Sequence, residues 1–353
     1  MSSEKFISIG VLGSEKNNVA FHIIKEIFIK SGFQLLNNKN NLITILAKEN
    51  KFLLISELTP NTIESIIKLN FHFDIIIHTN LKINNYENIL FEEVIHQAKY
   101  IIMNVDDKNY RKLLAKEVKG IIVTYGLNRK ATITTSSFKF ANNIQFNLCQ
   151  QREILGLNGI RMEPMEIPIT LNLIGKSNIY YSLAVIACGL IYGISADEMR
   201  NILSNIKGVF RYLEKIQDEE YMIIDSNCNI PADYNTVFEE TQNLKYKNIY
   251  IINGIEIDQG IYTIKDNLKA ILNWQPILNV KKLFLYIDGK EALLKNNIHL
   301  MLSNQKVDYE IFTDLYRCIH AAMKGLSKSD LLMILGSESL RECRELINQL
   351  IIN

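Results

Sequence analysis

The chain has 353 residues, and its 39 basic and 38 acidic residues leave a net charge of +1. This length suits two domains, and a composition of 48% hydrophobic and 22% charged residues is typical of globular proteins. Without a basic surplus, nothing indicates a nucleic-acid partner, and no apolar run approaches the roughly 20 residues that span a bilayer. Five widely spaced cysteines without a CxxC pair indicate neither a disulfide framework nor a zinc knuckle. We therefore predict a cytoplasmic protein with reduced thiols and no membrane insertion.

The first part of the chain predicts a mostly parallel α/β sheet. Short Ile-rich runs, typical of strands buried on both faces, alternate with segments of helical periodicity. The predicted strands are 6–12, 42–47, 52–57, 73–78, 100–104 and 121–124, and the predicted helices are 18–31, 60–69 and 108–117. Three later segments, 131–137, 144–149 and 165–173, alternate in polarity and predict an antiparallel patch.

A helical stretch follows this sheet. The segment 177–193 is apolar and rich in small residues, which predicts a buried helix. Ser195, with Glu198 three residues later, predicts a capping box for a helix over 196–206.

A second α/β pattern then begins. We place a boundary near 208–213 and divide the chain into domains 1–209 and 210–353. The predicted strands beyond it are 221–225, 248–253, 282–287 and 331–335, and the predicted helices are 233–244, 264–272, 314–324 and 339–350.

Residues 10–19, with the sequence GVLGSEKNNV, stand where a phosphate-binding loop would join the first strand to the first helix. In such a loop backbone N–H groups cradle phosphate oxygens, a Lys neutralises them, and a Ser or Thr holds Mg²⁺. The Gly-Lys-Ser/Thr core is missing here. The candidate anion-binding residues of this loop are Gly13, Ser14, Lys16, Asn17 and Asn18.

Further short motifs follow the loop in order. They are Ile55-Ser56-Glu57, Phe73 to Leu81, Asn104-Val105-Asp106-Asp107, Thr124-Tyr125-Gly126, Gly175 to Ala184 and Lys207 to Glu214. In order and spacing these motifs resemble the Mur ligases, especially the enzyme that adds the third amino acid to the UDP-N-acetylmuramoyl dipeptide. That family uses ATP to make an acyl phosphate and then joins the acid to an amino acid.

The resemblance implies a P-loop-type central domain, a Rossmann-like C-terminal domain, and ATP and Mg²⁺ as cofactors. At the matching positions it implies that Glu57 is a catalytic residue and a Mg²⁺ ligand. It also implies cofactor contacts from Asn178, Arg211 and Asp225. Lys99 is the candidate for the carbamylated catalytic lysine of the family.

Each of these residues also has a structural interpretation. The alternative for Glu57 is a solvated carboxylate at a strand end, and the alternative for Asn178 is a helix cap. Arg211 has the alternative of pairing with Glu214. We predict that His78 is structural, because no acid or Cys stands at a suggestive spacing from it.

The chain departs from the family at the loop. Asn17 and Asn18 take the places of the family's Lys and first Thr, and Lys16 is adjacent but one position out of register. Either Lys16 substitutes for the missing Lys, or phosphate binding is weakened or lost. The chain also starts at the P-loop strand, so we expect the family's UDP-binding domain to be absent.

Two functions remain open. The first is a pseudo-ligase with a binding, scaffold or regulatory role beside cell-wall or peptide-polymer synthesis, whose partner is a protein or a peptide or amino-acid ligand. The second is a divergent ATP-dependent acid–amino-acid ligase. Phosphoryl transfer depends on positioning and charge neutralisation, so the altered loop favours the first. The sequence leaves the oligomeric state open.

Overall fold

The computed structural model describes residues 5–13, 19–39, 42–80, 85–114, 117–140, 143–289, 292–303 and 305–352. The chain forms two compact units. The first runs to Ile206 and the second begins at Lys207, with Phe140 and Leu173–Gly175 also grouped with the second. None of the helices in the described ranges is long and apolar enough to cross a membrane.

The first unit contains a large mixed sheet and a separate short hairpin. Its strands are β1 (Lys5–Leu12), β2 (Gln34–Lys39), β3 (Ile43–Lys48), β4 (Lys51–Leu58), β5 (Ile75–His78), β6 (Tyr100–Asn104), β7 (Ile121–Tyr125), β8 (Ile133–Phe140), β9 (Ile144–Gln150), β10 (Ile154–Leu155), β11 (Arg161–Met162) and β12 (Met165–Leu171). Its helices are α1 (Val19–Lys30), α2 (Pro60–Lys68), α3 (Asn85–His96), α4 (Ser177–Tyr192) and α5 (Ala196–Ser204). The large sheet has the order β12-β9-β8-β7-β6-β5-β1-β4-β3-β2, and β10 pairs with β11.

The centre of this sheet is parallel. β1 pairs in parallel with β4 and β5, and β6 pairs in parallel with β5 and β7. The strands are Ile-rich because helices cover both faces, and α4 itself is buried along most of its length. Parallel pairing brings the carboxyl ends of β1, β4, β5 and β6 to one edge, where an open α/β sheet binds its ligands.

The second unit is a six-stranded sheet between two helical layers. Its strands are β13 (Glu214–Asp218), β14 (Met222–Asn227), β15 (Ile249–Glu256), β16 (Val280–Asp288), β17 (Asp308–Phe312) and β18 (Leu331–Gly336). Its helices are α6 (Pro231–Thr241), α7 (Ile261–Leu278), α8 (Ala292–Leu302), α9 (Leu315–Lys324) and α10 (Cys343–Ile352). The order is β13-β14-β18-β15-β16-β17, and only the pairing of β13 with β14 is antiparallel. The unit is therefore Rossmann-like, and the predicted α/β fold class is confirmed.

The structure differs from the predicted elements in a few places. The helix predicted over 108–117 is wrong: the described part is a short 3-10 turn, Tyr110–Leu114, because the polar turn after β6 continues through the bond from Asn109 N to Asp107 Oδ1. Seven strands and helices were not assigned from the sequence at all, because they are short, polar or lacking in periodicity. They are β2, β10, β11, β13, β17, α3 and α8.

Candidate functional site

The carboxyl edge of the first unit borders a cavity of about 430 Å³. Loops after β5, β6 and β7 form one wall, and the start of α4 forms another. Among the described residues, amides, hydroxyls and tyrosines dominate the lining, together with two carboxylates and one lysine. The lining residues are Thr79, Asn80, Asn104, Asp106, Asp107, Lys108, Asn109, Tyr125, Ser177, Tyr180 and Tyr181.

Backbone and amide hydrogen bonds hold the floor of this cavity. Thr79 donates from both its N–H and its Oγ1 to the Leu12 carbonyl, at 2.9 and 3.1 Å. Asn104 Nδ2 donates to the Thr79 carbonyl at 2.7 Å, and Asn104 Oδ1 accepts from Asp106 N at 3.0 Å. The ends of β1, β5 and β6 are thereby tied into one rigid surface.

A buried His–Asp pair lies behind this floor. His78 is fully buried at the end of β5, and its Nε2 lies 2.9 Å from Asp107 Oδ2. Tyr125 OH donates to the His78 carbonyl at 2.9 Å. Among the described residues, His78 Nδ1 has no hydrogen-bond partner. The pair fixes Asp107, which lines the cavity, against the strand beneath it.

Asp106 is also bound by protein groups. Its Oδ2 accepts from Leu127 N at 2.6 Å and from Tyr180 OH at 3.2 Å. Burial, together with Asp106, raises the pKa of Tyr180 to about 12, so this hydroxyl stays protonated and donates at neutral pH. Both cavity carboxylates are therefore bound by other groups of the protein.

In the second unit an arginine is enclosed at the edge of the sheet. Arg211 is only 4% exposed, and its Nε lies 3.1 Å from both carboxylate oxygens of Asp225. Its two Nη atoms donate to the carbonyls of Ser337 and Gly336. Burial raises the pKa of Asp225 to about 6, although Arg211 opposes the shift. The guanidinium of Arg211 thus forms these hydrogen bonds with groups of its own unit.

The loop that Arg211 holds forms a wall of a second cavity of about 430 Å³. Ser339 N donates to Glu256 Oε1 at 2.6 Å. Burial alone would raise the pKa of Glu256, but hydrogen bonds from Ser337 and Ser339 outweigh it and hold this pKa below its usual value. Its described lining is acidic and consists of Glu256, Ile257, Asp258, Asp288, Glu338 and Ser339.

Comparison with known proteins relates the first unit to a protein family. A sequence profile of the Mur ligase middle domain matches residues 41–189. The UDP-N-acetylmuramoyl-L-alanyl-D-glutamate--2,6-diaminopimelate ligase of Oceanobacillus iheyensis is 24% identical over 248 residues, which cover 68% of this chain and 46% of that protein. The UDP-N-acetylmuramate--L-alanine ligase of Hydrogenobaculum sp. is 28% identical over 211 residues, covering 57% and 44%. The chain spans about half the length of the curated relatives it matches.

Solved structures agree in fold across both units. A UDP-N-acetylmuramoyl-L-alanyl-D-glutamate--2,6-diaminopimelate ligase has a TM-score of 0.73 at 12% identity, covering 99% of this chain and 80% of that one. The MurF ligase from Thermotoga maritima in complex with ADP has a TM-score of 0.63 at 13% identity, covering 98% and 81%. Residues 41–189 therefore match the Mur ligase middle domain, and both units share the fold of the Mur ligases.

Two of the residues matched to Mur ligase motifs lie at the expected edge of the first unit. Gly13 directly follows β1, and Glu57 near the end of β4 is in register with Val11 of β1. Glu57 does not line the described cavity. The other loop candidates lie outside the described residues: Ser14, Lys16, Asn17 and Asn18.

Lys99 lies elsewhere. It precedes β6, at the amino edge of the sheet, and its Nζ lies 2.6 Å from Asp74 Oδ1. Its side chain is 69% exposed. The structure therefore does not bring Lys99 together with Glu57, because the two residues lie at opposite ends of the parallel strands.

Asn178 is not a helix cap, so that interpretation is wrong. The residue before α4 is Lys176, which makes no side-chain capping bond, and Asn178 is buried in the first turn. Close to the cavity-lining Ser177, it remains a candidate contact residue.

Arg211 and Asp225, predicted separately as Mur ligase cofactor contacts, bind each other. The suggested pairing of the Arg211 side chain with Glu214 is wrong: Glu214 accepts from the Arg211 backbone N–H at 3.0 Å, while the guanidinium binds Asp225. Glu214 also accepts from Arg344 at 2.6 Å. These contacts fix the segment that leads into β13.

Sequence reasoning missed the partner of His78. We expected no acid partner, but Asp107 lies 29 residues further along the chain. Both residues stand at the ends of neighbouring parallel strands, and this common position was the available signal. Within the described ranges, no group of three or more His, Cys, Asp or Glu side chains forms a metal site.

Proposed function

We propose that this chain is a Mur ligase family protein that binds a small ligand in the cavity of the first unit and does not carry out ATP-driven ligation. Its role is one of binding, scaffolding or regulation beside cell-wall or peptide-polymer synthesis. The observation that carries the proposal is the character of the cavity lining, which consists mainly of amides, hydroxyls and tyrosines.

The described lining suits a triphosphate poorly. Polyanions are held by charge-assisted contacts from Lys and Arg, and the described lining includes a single side chain of this kind, Lys108. Two carboxylates, Asp106 and Asp107, line the same cavity and oppose an anion. Arg211, the other predicted phosphate contact, has its guanidinium bound to Asp225 and two carbonyls. We therefore derive no phosphoryl-transfer step from these residues.

The sequence of the loop also argues against ATP-driven ligation. Asn17 and Asn18 stand at the positions of the family's Lys and Thr. Phosphoryl transfer is catalysed by positioning and charge neutralisation, so an amide in place of an ammonium removes a large part of the effect.

The lining instead matches the chemistry of a peptide or an amino acid. Asn80 and Asn109 offer amide donors and acceptors, and Tyr180 and Tyr181 offer apolar faces beside hydroxyls. A cavity of about 430 Å³ is in the usual range for small-ligand sites.

The proposal is tested by titration calorimetry of the purified chain with Mg·ATP. We expect no binding by the wild type, and binding by the Asn17→Lys/Asn18→Thr variant if the loop frame is intact. The matched control is Asn296→Lys/Asn297→Thr, which makes the same substitutions at exposed positions of α8. Tight binding of Mg·ATP by the wild type would overturn the proposal.

The second candidate function is a divergent ATP-dependent acid–amino-acid ligase. The observation that favours it is Glu57, which lies near the end of β4 beside β1 as a Mg²⁺-binding carboxylate would. This function predicts ADP release that depends on an added acid and amino acid. Glu57→Gln should then abolish that release, whereas Glu64→Gln on α2 should not, and ADP release that Glu57→Gln leaves unchanged would exclude this role for Glu57.

A further inference from the structure

The amino edge of the first sheet carries a row of exposed lysines. The parallel strands β1, β4, β5, β6 and β7 begin at this edge, and β3, antiparallel to β4, ends there. The helices α1 and α2 run back from the carboxyl edge and also end there. The exposed lysines at these strand and helix ends are Lys5, Lys30, Lys48, Lys51, Lys68, Lys99 and Lys119. We call them, with the connections 30–33, 48–51, 68–74, 97–99 and 117–120 that carry most of them, the lysine rim.

The lysines of the rim follow the order of the strands. Lys119 and Lys99 precede β7 and β6, whereas Lys5 and Lys51 open β1 and β4. Lys51 is in register with Lys5 on one side and with Lys48 on the other. Neighbouring strands lie about 4.8 Å apart, so the six strands from β7 to β3 spread the row over about 24 Å. Like charges in register repel each other, and a bound anionic surface would relieve that repulsion.

Few carboxylates balance the row. Asp74 is already bound, because its Oδ2 accepts from Ser8 N at 2.9 Å and its Oδ1 from Lys99 Nζ at 2.6 Å. Lys5 and Lys51 form no ion pair with another described residue. The rim therefore has a surplus of four positive charges, since its seven lysines face three carboxylates, Glu49, Asp74 and Glu117. The net charge of +1 for the whole chain does not reveal this surplus, because the topology of the sheet brings the lysines together.

Exposed apolar side chains stand among the lysines. Phe6, next to Lys5, is 54% exposed, and Leu69, next to Lys68, is 78% exposed. Ile121, at the start of β7, is 44% exposed. At the surface of a membrane, ammonium groups attract anionic headgroups while apolar side chains enter the boundary with the acyl chains. The rim suits nucleic acid less well, because its cations are all lysines and base recognition relies on arginine and on stacking aromatic side chains.

We propose that the lysine rim binds the chain to a surface of anionic phospholipids. The contact is peripheral, and it strengthens about fivefold for each surplus positive charge near the surface. The first cavity lies at the other ends of the same strands, about 15–25 Å away. Binding through the rim therefore leaves that cavity accessible and does not depend on the proposed binding function.

Co-sedimentation of the full chain with lipid vesicles tests this proposal. We expect binding to vesicles of phosphatidylcholine with phosphatidylserine and no binding to phosphatidylcholine alone. Raising the ionic strength from about 0.1 M to about 1 M should release the protein, because the screening length falls from about 10 Å to about 3 Å. Lys5→Gln/Lys51→Gln should weaken binding at least about tenfold. The matched control is Lys130→Gln/Lys139→Gln, at two exposed lysines of the same unit outside the rim, and it should leave binding unchanged.

Leu69→Ser distinguishes phospholipids from a soluble acidic partner. This variant keeps every charge of the rim and removes an apolar side chain, so it should weaken vesicle binding several-fold. Leu300→Ser, at a leucine of α8 that is 74% exposed, should have no effect, and circular dichroism checks that all variants are folded. A wild-type chain that does not bind the anionic vesicles would overturn the proposal, as would binding that Lys5→Gln/Lys51→Gln leaves intact. Vesicle binding that Leu69→Ser does not weaken would also overturn it, because the lysines would then respond to negative charge alone, as they would to an acidic protein.

Discussion

The two units present cavities of the same size, about 430 Å³, at the carboxyl ends of parallel strands, yet the charges around them are arranged differently. In the first unit, Asp106 and Asp107 are bound by a tyrosine, a histidine and backbone N–H groups. In the second unit, carboxylates dominate the cavity, and the nearby Arg211 is turned into the protein.

Topology and side chains determine different properties of the two cavities. Parallel strands create a cavity at their carboxyl edge in both units. The side chains then decide whether that cavity accepts an anion. The positions of the charged side chains around the two cavities are therefore more informative about their ligands than the fold is.

The largest expected effect comes from Arg211→Met. Removing the guanidinium leaves Asp225 and the carbonyls of Gly336 and Ser337 buried without their partner, which should cost about 3–5 kcal/mol in the free energy of unfolding. Trp274 packs in the core of the second unit and is the single tryptophan of the chain, so its fluorescence reports this unfolding in urea.

The control is Arg341→Met, at an exposed arginine that pairs with Glu338 three residues away. Such a surface pair contributes little, so we expect a change below about 0.5 kcal/mol. If Arg211→Met were as mild as this control, Arg211 would not be committed to its own unit, and the contrast between the two cavities would fail.

The next effect is a pH dependence from Asp225. Burial raises the pKa of this carboxyl from 3.8 to about 6 in the folded state, so the folded protein binds this proton more tightly than the unfolded chain. The resulting stabilisation is fully present below about pH 4 and is lost as the pH rises through about 6. Two pKa units set an upper limit of about 3 kcal/mol.

Asp225→Asn removes this titration and serves as the reference. The difference in unfolding free energy between the wild type and Asp225→Asn should fall between about pH 4 and pH 6, and stay constant above that range. A difference that is flat or rises with pH would contradict the raised pKa and would mean that the contact with Arg211 outweighs burial.

In the first unit, the sharpest test is His78→Leu. This variant leaves the carboxylate of Asp107 without its buried partner, which should cost about 1.5–3 kcal/mol. The double variant His78→Leu/Asp107→Leu should be milder, since replacing both partners of a buried pair by apolar groups is often close to neutral. Calorimetric melting of the two variants measures the difference. If the double variant is as unstable as His78→Leu, the pair does not account for the loss.

The sequence predicted the strands that meet at the two carboxyl edges but not the contacts between their ends. Continuous apolar runs identified β1, β5 and β18, because burial on both faces leaves a clear pattern. The edge strands β2 and β17 were missed because both are short and polar residues interrupt their apolar residues, which removes that pattern.

Site contacts were harder to predict because they join residues far apart in the chain. His78 and Asp107 are 29 positions apart, and Arg211 and Ser337 are 126 apart. Resemblance to Mur ligases pointed to Arg211 and Asp225 separately. It could not show that they bind each other, since that depends on the antiparallel pairing of β13 with β14, which sets Glu214 opposite Asp225.

The smallest effect is expected from Tyr180→Phe at the wall of the first cavity. This variant removes one hydrogen bond to Asp106 but leaves the bond from Leu127 N in place, so the carboxylate keeps a partner. We expect a loss of about 0.5–1.5 kcal/mol in stability, and a shift of only a few degrees in the melting temperature. Tyr262→Phe is the matched control, because that tyrosine is 81% exposed and should lose nothing measurable. A much larger loss for Tyr180→Phe would mean that the Leu127 bond alone cannot hold Asp106. The carboxylate would then not be securely bound by the protein, and the first cavity would resemble the acidic second one more closely than the geometry indicates.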